Sequence, residues 1–181
     1  MRVNLLAKRY AQALFGLALE NKTEEKIAED MRLVGKVLGE NRELRRVMSN
    51  PVLQDEKKVK ILYRLFEKNI SKLTLRFFDL LIRKRREVYL DAICAAFDEI
   101  YLDYKNIVKA ELITATGADE KIRKQVIEKL KSITDKKIEL SDKTDADLIG
   151  GFVARLGDYQ YDASVATQLR KLRKSYAEQL K

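Results

Sequence analysis

The sequence predicts an α+β chain: an N-terminal six-helix bundle, then a small mixed α/β domain with a few strands and two helices. Three observations carry this. Through the first hundred positions apolar residues recur at three- and four-residue steps. Past Lys105 the stretch "NIVKAELITAT" turns to β-branched alternation. No internal repeat or low-complexity linker interrupts the 181 residues. The pattern changes near residue 105, so the expected domains are 1–105 and 106–181.

In the first domain, Leu6, Tyr10, Ala13, Leu14, Leu17 and Ala18 make one helical stripe. Thr23 is placed to cap a second helix, with Glu24 and Glu25 in its first turn, where carboxylates complement the helix dipole. Ile27, Met31, Val34 and Leu38 are its apolar face. A short third helix carries Leu44, Val47 and Met48 and stops at Asn50-Pro51, because the residue before proline avoids helical angles. A fourth starts near Asp55-Glu56 and turns Val59, Leu62 and Phe66 inward. A fifth follows Ser71, and a sixth runs through Tyr89, Ile93, Phe97, Ile100 and Tyr104. Between these two, "RKRREVY" contains no helix breaker, and spacing alone sets no boundary there.

In the second domain a strand at "NIVKAELITAT" is followed by a helix over 119–131, carrying Ile122, Val126, Ile127 and Leu130. "KKIELS" is a short strand. "GFVARL" is another, with Phe152, Ala154 and Leu156 on one face. Gly157-Asp158 suits a two-residue hairpin turn into "YQY". Ser164 is placed to cap a last helix striped by Val165, Leu169, Leu172, Tyr176 and Leu180.

Composition narrows the function. There is no histidine, which removes the usual general base and the commonest transition-metal ligand. The one cysteine, Cys94, sits among apolar neighbours and reads as packing. The net charge of +9 raises nucleic acid or an anionic membrane as a partner. That charge is spread, with 22 basic against 16 acidic residues in 1–105 and 15 against 12 in 106–181. Only Arg83-Lys84-Arg85-Arg86 is dense, and a charge run on a helix is usually a solvated face. A basic helical nucleic-acid-binding protein is therefore the alternative reading. The opening residues mix basic and apolar side chains without a cleavage site and read as a structural helix, not a targeting peptide.

The stretch "LIGGFVARLGD" tests for a phosphate loop and fails. A phosphate cradle needs a glycine-rich loop entering a helix, usually with lysine and a hydroxyl residue. Here Gly150 and Gly151 lead into an apolar strand, where they permit a bulge or a close backbone approach, and Gly157 with Asp158 serves the turn. Asp142, Asp145 and Asp147 lack the further ligands and terminal glutamate of a calcium loop. No Ser-His or Cys-His pair exists. The expectation is no catalytic residue, no cofactor site and no metal site.

Two helices are apolar over more than the stripe a surface helix needs. The first holds Leu5, Leu6, Ala7, Tyr10, Ala11, Ala13, Leu14, Phe15, Leu17, Ala18 and Leu19, and the fifth Leu73, Leu75, Phe77, Phe78, Leu80, Leu81 and Ile82. Spacing leaves two readings. Both helices are central in the core, or one side of each lines a groove for a partner's amphipathic helix.

"AKRYAQALFGLALE" and "DADLIGGFVARLGDYQYDASVATQLRKL" resemble the delta-subunit family of F-type ATP synthase, the family of the oligomycin-sensitivity-conferring protein. Tyr10, Ala11, Ala13 and Leu14 match its opening helix. Leu148 to Phe152, Gly157, Asp158, Asp162, Ser164 and Leu169 match its closing motif. Three places depart from the pattern: Ala146 for a common proline, Ala163 for a glycine, and Ala166-Thr167-Gln168 for Arg-Gly-Arg. The first two change turn chemistry, and the third removes two arginines.

The resemblance implies a non-catalytic stator subunit that resists rotor torque during proton-driven ATP synthesis. It implies that the helical domain grips the N-terminal segment of an alpha subunit of the catalytic head, in a groove between the first and fifth helices. Carried over, the groove residues are Tyr10, Ala13, Leu14, Leu17, Phe77 and Leu80. The second domain is then expected to meet the C-terminal end of the b-subunit stalk. No nucleic acid and no transmembrane segment are expected. The lack of a targeting peptide points to a bacterial protein, peripheral on the cytoplasmic face of the cell membrane.

Overall fold

A computed structural model of the chain describes residues 2–117, 119–157 and 159–179. They form an α+β fold of eight α-helices and one four-stranded mixed sheet. The chain divides into two units, Met1–Tyr104 and Lys105–Lys181.

The first unit contains α1 (Arg2–Glu20), α2 (Glu24–Glu40), α3 (Arg42–Ser49), α4 (Asp55–Phe66), α5 (Lys72–Arg83) and α6 (Leu90–Tyr104). Both α1 and α2 pack along α6, and α4 packs on α5. The core they enclose includes Leu14, Ile27, Met31, Leu62, Phe66, Phe78, Leu81 and Phe97. Edge-to-face ring contacts knit it, Phe15 to Phe97 at 5.8 Å and Phe66 to Phe78 at 6.2 Å.

The packing face of α1 is rotated from the predicted stripe. Its buried residues are Ala7, Ala11, Leu14, Phe15 and Ala18, whereas Leu6 and Tyr10 are half-buried and Ala13 and Leu17 are exposed. Alanine at three of these positions lets the α6 backbone approach closely. The larger side chains are thereby left on a neighbouring face.

Helix ends explain two further differences. Thr23 stands at the N-cap of α2, but its hydroxyl donates to the Ala18 carbonyl instead of capping. The unplaced boundary falls at the end of α5, where Arg85 takes the left-handed conformation at φ +54°. Arg86 N–H then donates to the Leu81 carbonyl and Arg85 N–H to that of Ile82, closing the helix in the manner usually given to glycine. Lys22, at φ +53°, does the same for α1. A single 3-10 turn, Glu87–Tyr89, precedes α6, which begins at Leu90 and not before Tyr89. Of the basic run, only Arg83 lies within α5.

The second unit runs β1 (Ile107–Thr114), α7 (Glu120–Lys131), β2 (Lys137–Thr144), β3 (Phe152–Leu156), β4 (Tyr159–Asp162) and α8 (Val165–Gln179). The sheet order is β2-β1-β3-β4. β1 and β2 are parallel from Ile107↔Lys137 to Thr114↔Thr144, a pairing that needs a crossover, which α7 supplies. β3 pairs antiparallel with β1 and with β4. The last pair, Leu156↔Tyr159, leaves a two-residue link of Gly157, at φ +56°, and Asp158, which lies outside the described residues. One sheet face carries Ala110, Leu112 and Ala154 against Val126 and Leu130 of α7, flanked by Phe152 and Leu156.

β2 is longer than "KKIELS" predicts, because β1 offers a full row of parallel partners. The predicted stripe of α8 does not become core: Leu169 and Leu172 are both more than half exposed. The side chains of Tyr176 and Leu180 lie outside the described residues.

Candidate functional site

The N-terminus of α5 is fixed from a distance in sequence. Asp30 of α2, buried, accepts the Ser71 N–H at 2.8 Å and the Thr74 hydroxyl at 2.7 Å, while Ser71 Oγ accepts the Thr74 N–H. A carboxylate there satisfies a donor that the first turn leaves open and complements the helix dipole. Midway along, Tyr63 of α4 donates to Asp79 at 2.9 Å, and that bond raises the phenol's pKa.

So held, α5 presents the line Leu73, Phe77, Leu80 at helical spacing, and α1 presents Leu6, Tyr10, Ala13, Leu17. The two lines meet at Tyr10 and Phe77, whose rings stand 6.5 Å apart in an edge arrangement. Phe77 is buried and Tyr10 half-buried. On the same two helices Leu17 is 46% exposed, Leu80 44% exposed, and Ala13 is exposed as well. Leu14 is 1% exposed and faces the core, so it belongs to the floor rather than the surface.

The six groove candidates therefore separate by burial. Leu14 and Phe77 support, Tyr10 borders, and Ala13, Leu17 and Leu80 are open. Leu6 and Leu73, both half-buried, extend the same two lines. The helical period already pointed to them. This face can bury apolar surface of another helix, with Ala13 leaving room for close approach.

Gly150 and Gly151 are placed differently. Ile149 takes φ +63° and ψ −36°, and Gly150 N–H donates back to the Leu148 carbonyl at 2.6 Å. The result is a γ-turn of the rarer, strained hand. Gly150 then accepts the Val165 N–H at 3.0 Å, which ties this turn to the start of α8. At Gly151, φ is +74°, and a Cβ would stand 2.3 Å from the Ala163 carbonyl oxygen. Gly151 thus lets two backbones touch, whereas a Cβ at Gly150 would meet the Val165 side chain at 3.2 Å. Ala163 keeps a negative φ, so the missing family glycine costs no backbone strain.

Ser164 caps α8 by accepting the Thr167 N–H, and Asp162 accepts the Ser164 N–H and the Thr167 hydroxyl. Those bonds, the Ser164 backbone N–H foremost, hold the Asp162 carboxyl below the usual carboxylate range. The other flagged acids are occupied locally. Asp142 pairs with Arg123, and Asp145 accepts the Asp147 N–H. Among the described residues no group of three potential metal ligands converges. Cys94 is buried, and burial pushes its thiol pKa up. Arg83, Lys84, Arg85 and Arg86 are all exposed.

The chain as a whole is similar to known proteins. A family model described as "ATP synthase delta (OSCP) subunit" matches residues 6–176. The chain is 34% identical over 178 residues to the ATP synthase subunit delta of Parabacteroides distasonis, covering 98% of this chain and 99% of that one. It is 38% identical over 168 residues to that of Crocosphaera subtropica, covering 92% and 91%. With the one from Carboxydothermus hydrogenoformans the identity is 37% over 175 residues, covering 97% and 98%. Among solved structures, a chain in the cryo-EM structure of the Toxoplasma gondii mitochondrial ATP synthase hexamer superposes with a TM-score of 0.71 at 25% identity. The match covers 95% of this chain and 97% of that one.

Proposed function

The chain belongs to the ATP synthase delta (OSCP) family, and we propose that its two units divide the labour of a stator between head and stalk. The protein is a stator subunit of F-type ATP synthase, a part of the peripheral stalk. In this reading it is non-catalytic, and it passes torque resistance from the stalk to the catalytic head.

The helices of residues 1–105, taken as a six-helix bundle, hold the N-terminal segment of an alpha subunit. One observation carries this assignment. α1 spends Ala7, Ala11, Leu14 and Ala18 on packing and still exposes Ala13 and Leu17, α5 exposes Leu80, and the two helices touch at Tyr10 and Phe77. A second apolar line on an already packed helix is what a docked amphipathic helix needs. Residues 106–181 meet the C-terminal end of the b subunit, and the exposed line Val165, Leu169, Leu172 of α8 supports that reading.

No helix among the described residues is long and apolar enough to cross a membrane. We place the subunit on the cytoplasmic face, held by the complex. Size-exclusion chromatography of the full chain with a purified ATP-synthase head tests this function. Co-elution is expected. Separate elution, or co-elution with nucleic acid alone, overturns it.

A further inference from the structure

A second feature of the first unit lies on α3. Beneath this helix is a cavity of about 340 Å³. Leu38, Met48 and Leu90, all buried, line its apolar floor. Arg42, Arg45 and Arg46 stand at its rim, exposed, and none has an ion-pair partner among the described residues. Val88, 55% exposed, borders it on the other side.

Glu87 also lines the cavity and is 5% exposed. Its Oε1 takes the Lys58 ammonium at 2.5 Å, which neutralises the pair, while its Oε2 accepts no hydrogen bond. A buried carboxylate oxygen without a donor is costly, so the carboxylate leans on Lys58 alone. Asp91 is the remaining carboxylate on the lining, so the three arginines set the local sign.

We propose that this cavity docks an acidic peptide segment with an apolar residue at its centre. The apolar side chain enters over Leu38, Met48 and Leu90. Flanking carboxylates meet the guanidinium forks of Arg42, Arg45 and Arg46, whose planar geometry suits carboxylate. The site uses neither exposed line of the α1–α5 face and stands independently of the alpha-subunit reading.

The test titrates the full chain with a fluorescent peptide of alternating glutamate and leucine pairs. Saturable binding is expected, weakened by salt and reduced at least about tenfold by Arg42→Glu/Arg45→Glu/Arg46→Glu. Replacing the peptide's leucines by alanine is expected to weaken it similarly. Val88→Glu provides a second variant, should the triple change disturb folding, and is expected to cause the same loss. Circular dichroism and head co-elution of each variant provide the controls. Unchanged peptide affinity in both variants would overturn the proposal. So would preferential binding of duplex DNA or anionic vesicles through the same three arginines.

Discussion

A Cβ at position 151 would stand 2.3 Å from the carbonyl oxygen of Ala163, so Gly151 is where the strand β3 backbone runs against the entry to α8. Position 151 also holds φ +74°, a conformation L side chains rarely adopt. Gly151→Ala is therefore expected to destabilise the second unit by about 2 kcal/mol or more, through clash and backbone strain together. Urea unfolding followed by a probe in that unit measures it. Wild-type stability would remove the close-approach account of the Leu-Ile-Gly-Gly motif.

The first turn of α8 is expected to depend on pH through Asp162. Its folded pKa is depressed, chiefly by the Ser164 backbone N–H. The stabilisation is complete above the ordinary aspartate value of about 3.9 and is lost as pH falls through the lower folded value. Amide exchange at Ser164 and Thr167, corrected for intrinsic rates, should gain speed in that acid window. In Asp162→Asn that step should be absent.

The buried pair Lys58–Glu87 is expected to behave asymmetrically. Both side chains are at most 5% exposed and are joined at 2.5 Å. Glu87→Gln leaves an ammonium buried without its countercharge and is expected to cost about 3 kcal/mol. The double change Lys58→Met/Glu87→Leu should recover most of that, because two desolvated charges are replaced by packing. A double-mutant cycle of Lys58→Met, Glu87→Leu and the double change in chemical denaturation decides it; additive costs for the two single changes would show that the ions do not act as a pair.

Local signals in the chain were enough for much of this fold. The run from Ile107 to Thr114 is a strand, as its β-branched residues foretold, though burial alternates only from Lys109 to Leu112, and Phe152, Ala154 and Leu156 share the face their period assigns them. Asn50-Pro51 ends α3 where proline sterics demand. What escaped reading depends on partners far along the chain or on residues in unusual roles. Arg85 ends α5 in a conformation normally signalled by glycine. Asp30 anchors Ser71 across 41 positions, and Lys58 finds Glu87 across 29.

The exposed apolar lines of α1 and α5 were half legible for the same reason. Periodicity marked both α1 and α5 as over-apolar. Only packing shows that Leu14 faces inward while Ala13, on the adjoining face, is open. The choice of α6 as α1's neighbour fixes that rotation, through the small face of Ala7, Ala11 and Ala18 that the apolar stripe alone does not single out.

The most direct test of the proposed alpha-subunit groove is binding of an alpha-subunit N-terminal peptide to Ala13→Trp and Leu80→Asp, measured by calorimetry on the full chain. Both positions are exposed, so circular dichroism should report a native fold in each variant. The tryptophan fills the space over which the partner helix approaches, and the aspartate carries an unpaired carboxylate into an apolar interface. Each change is expected to weaken the peptide by at least about tenfold, or 1.4 kcal/mol. Full affinity in both folded variants would contradict the account and place the alpha-subunit contact on another face.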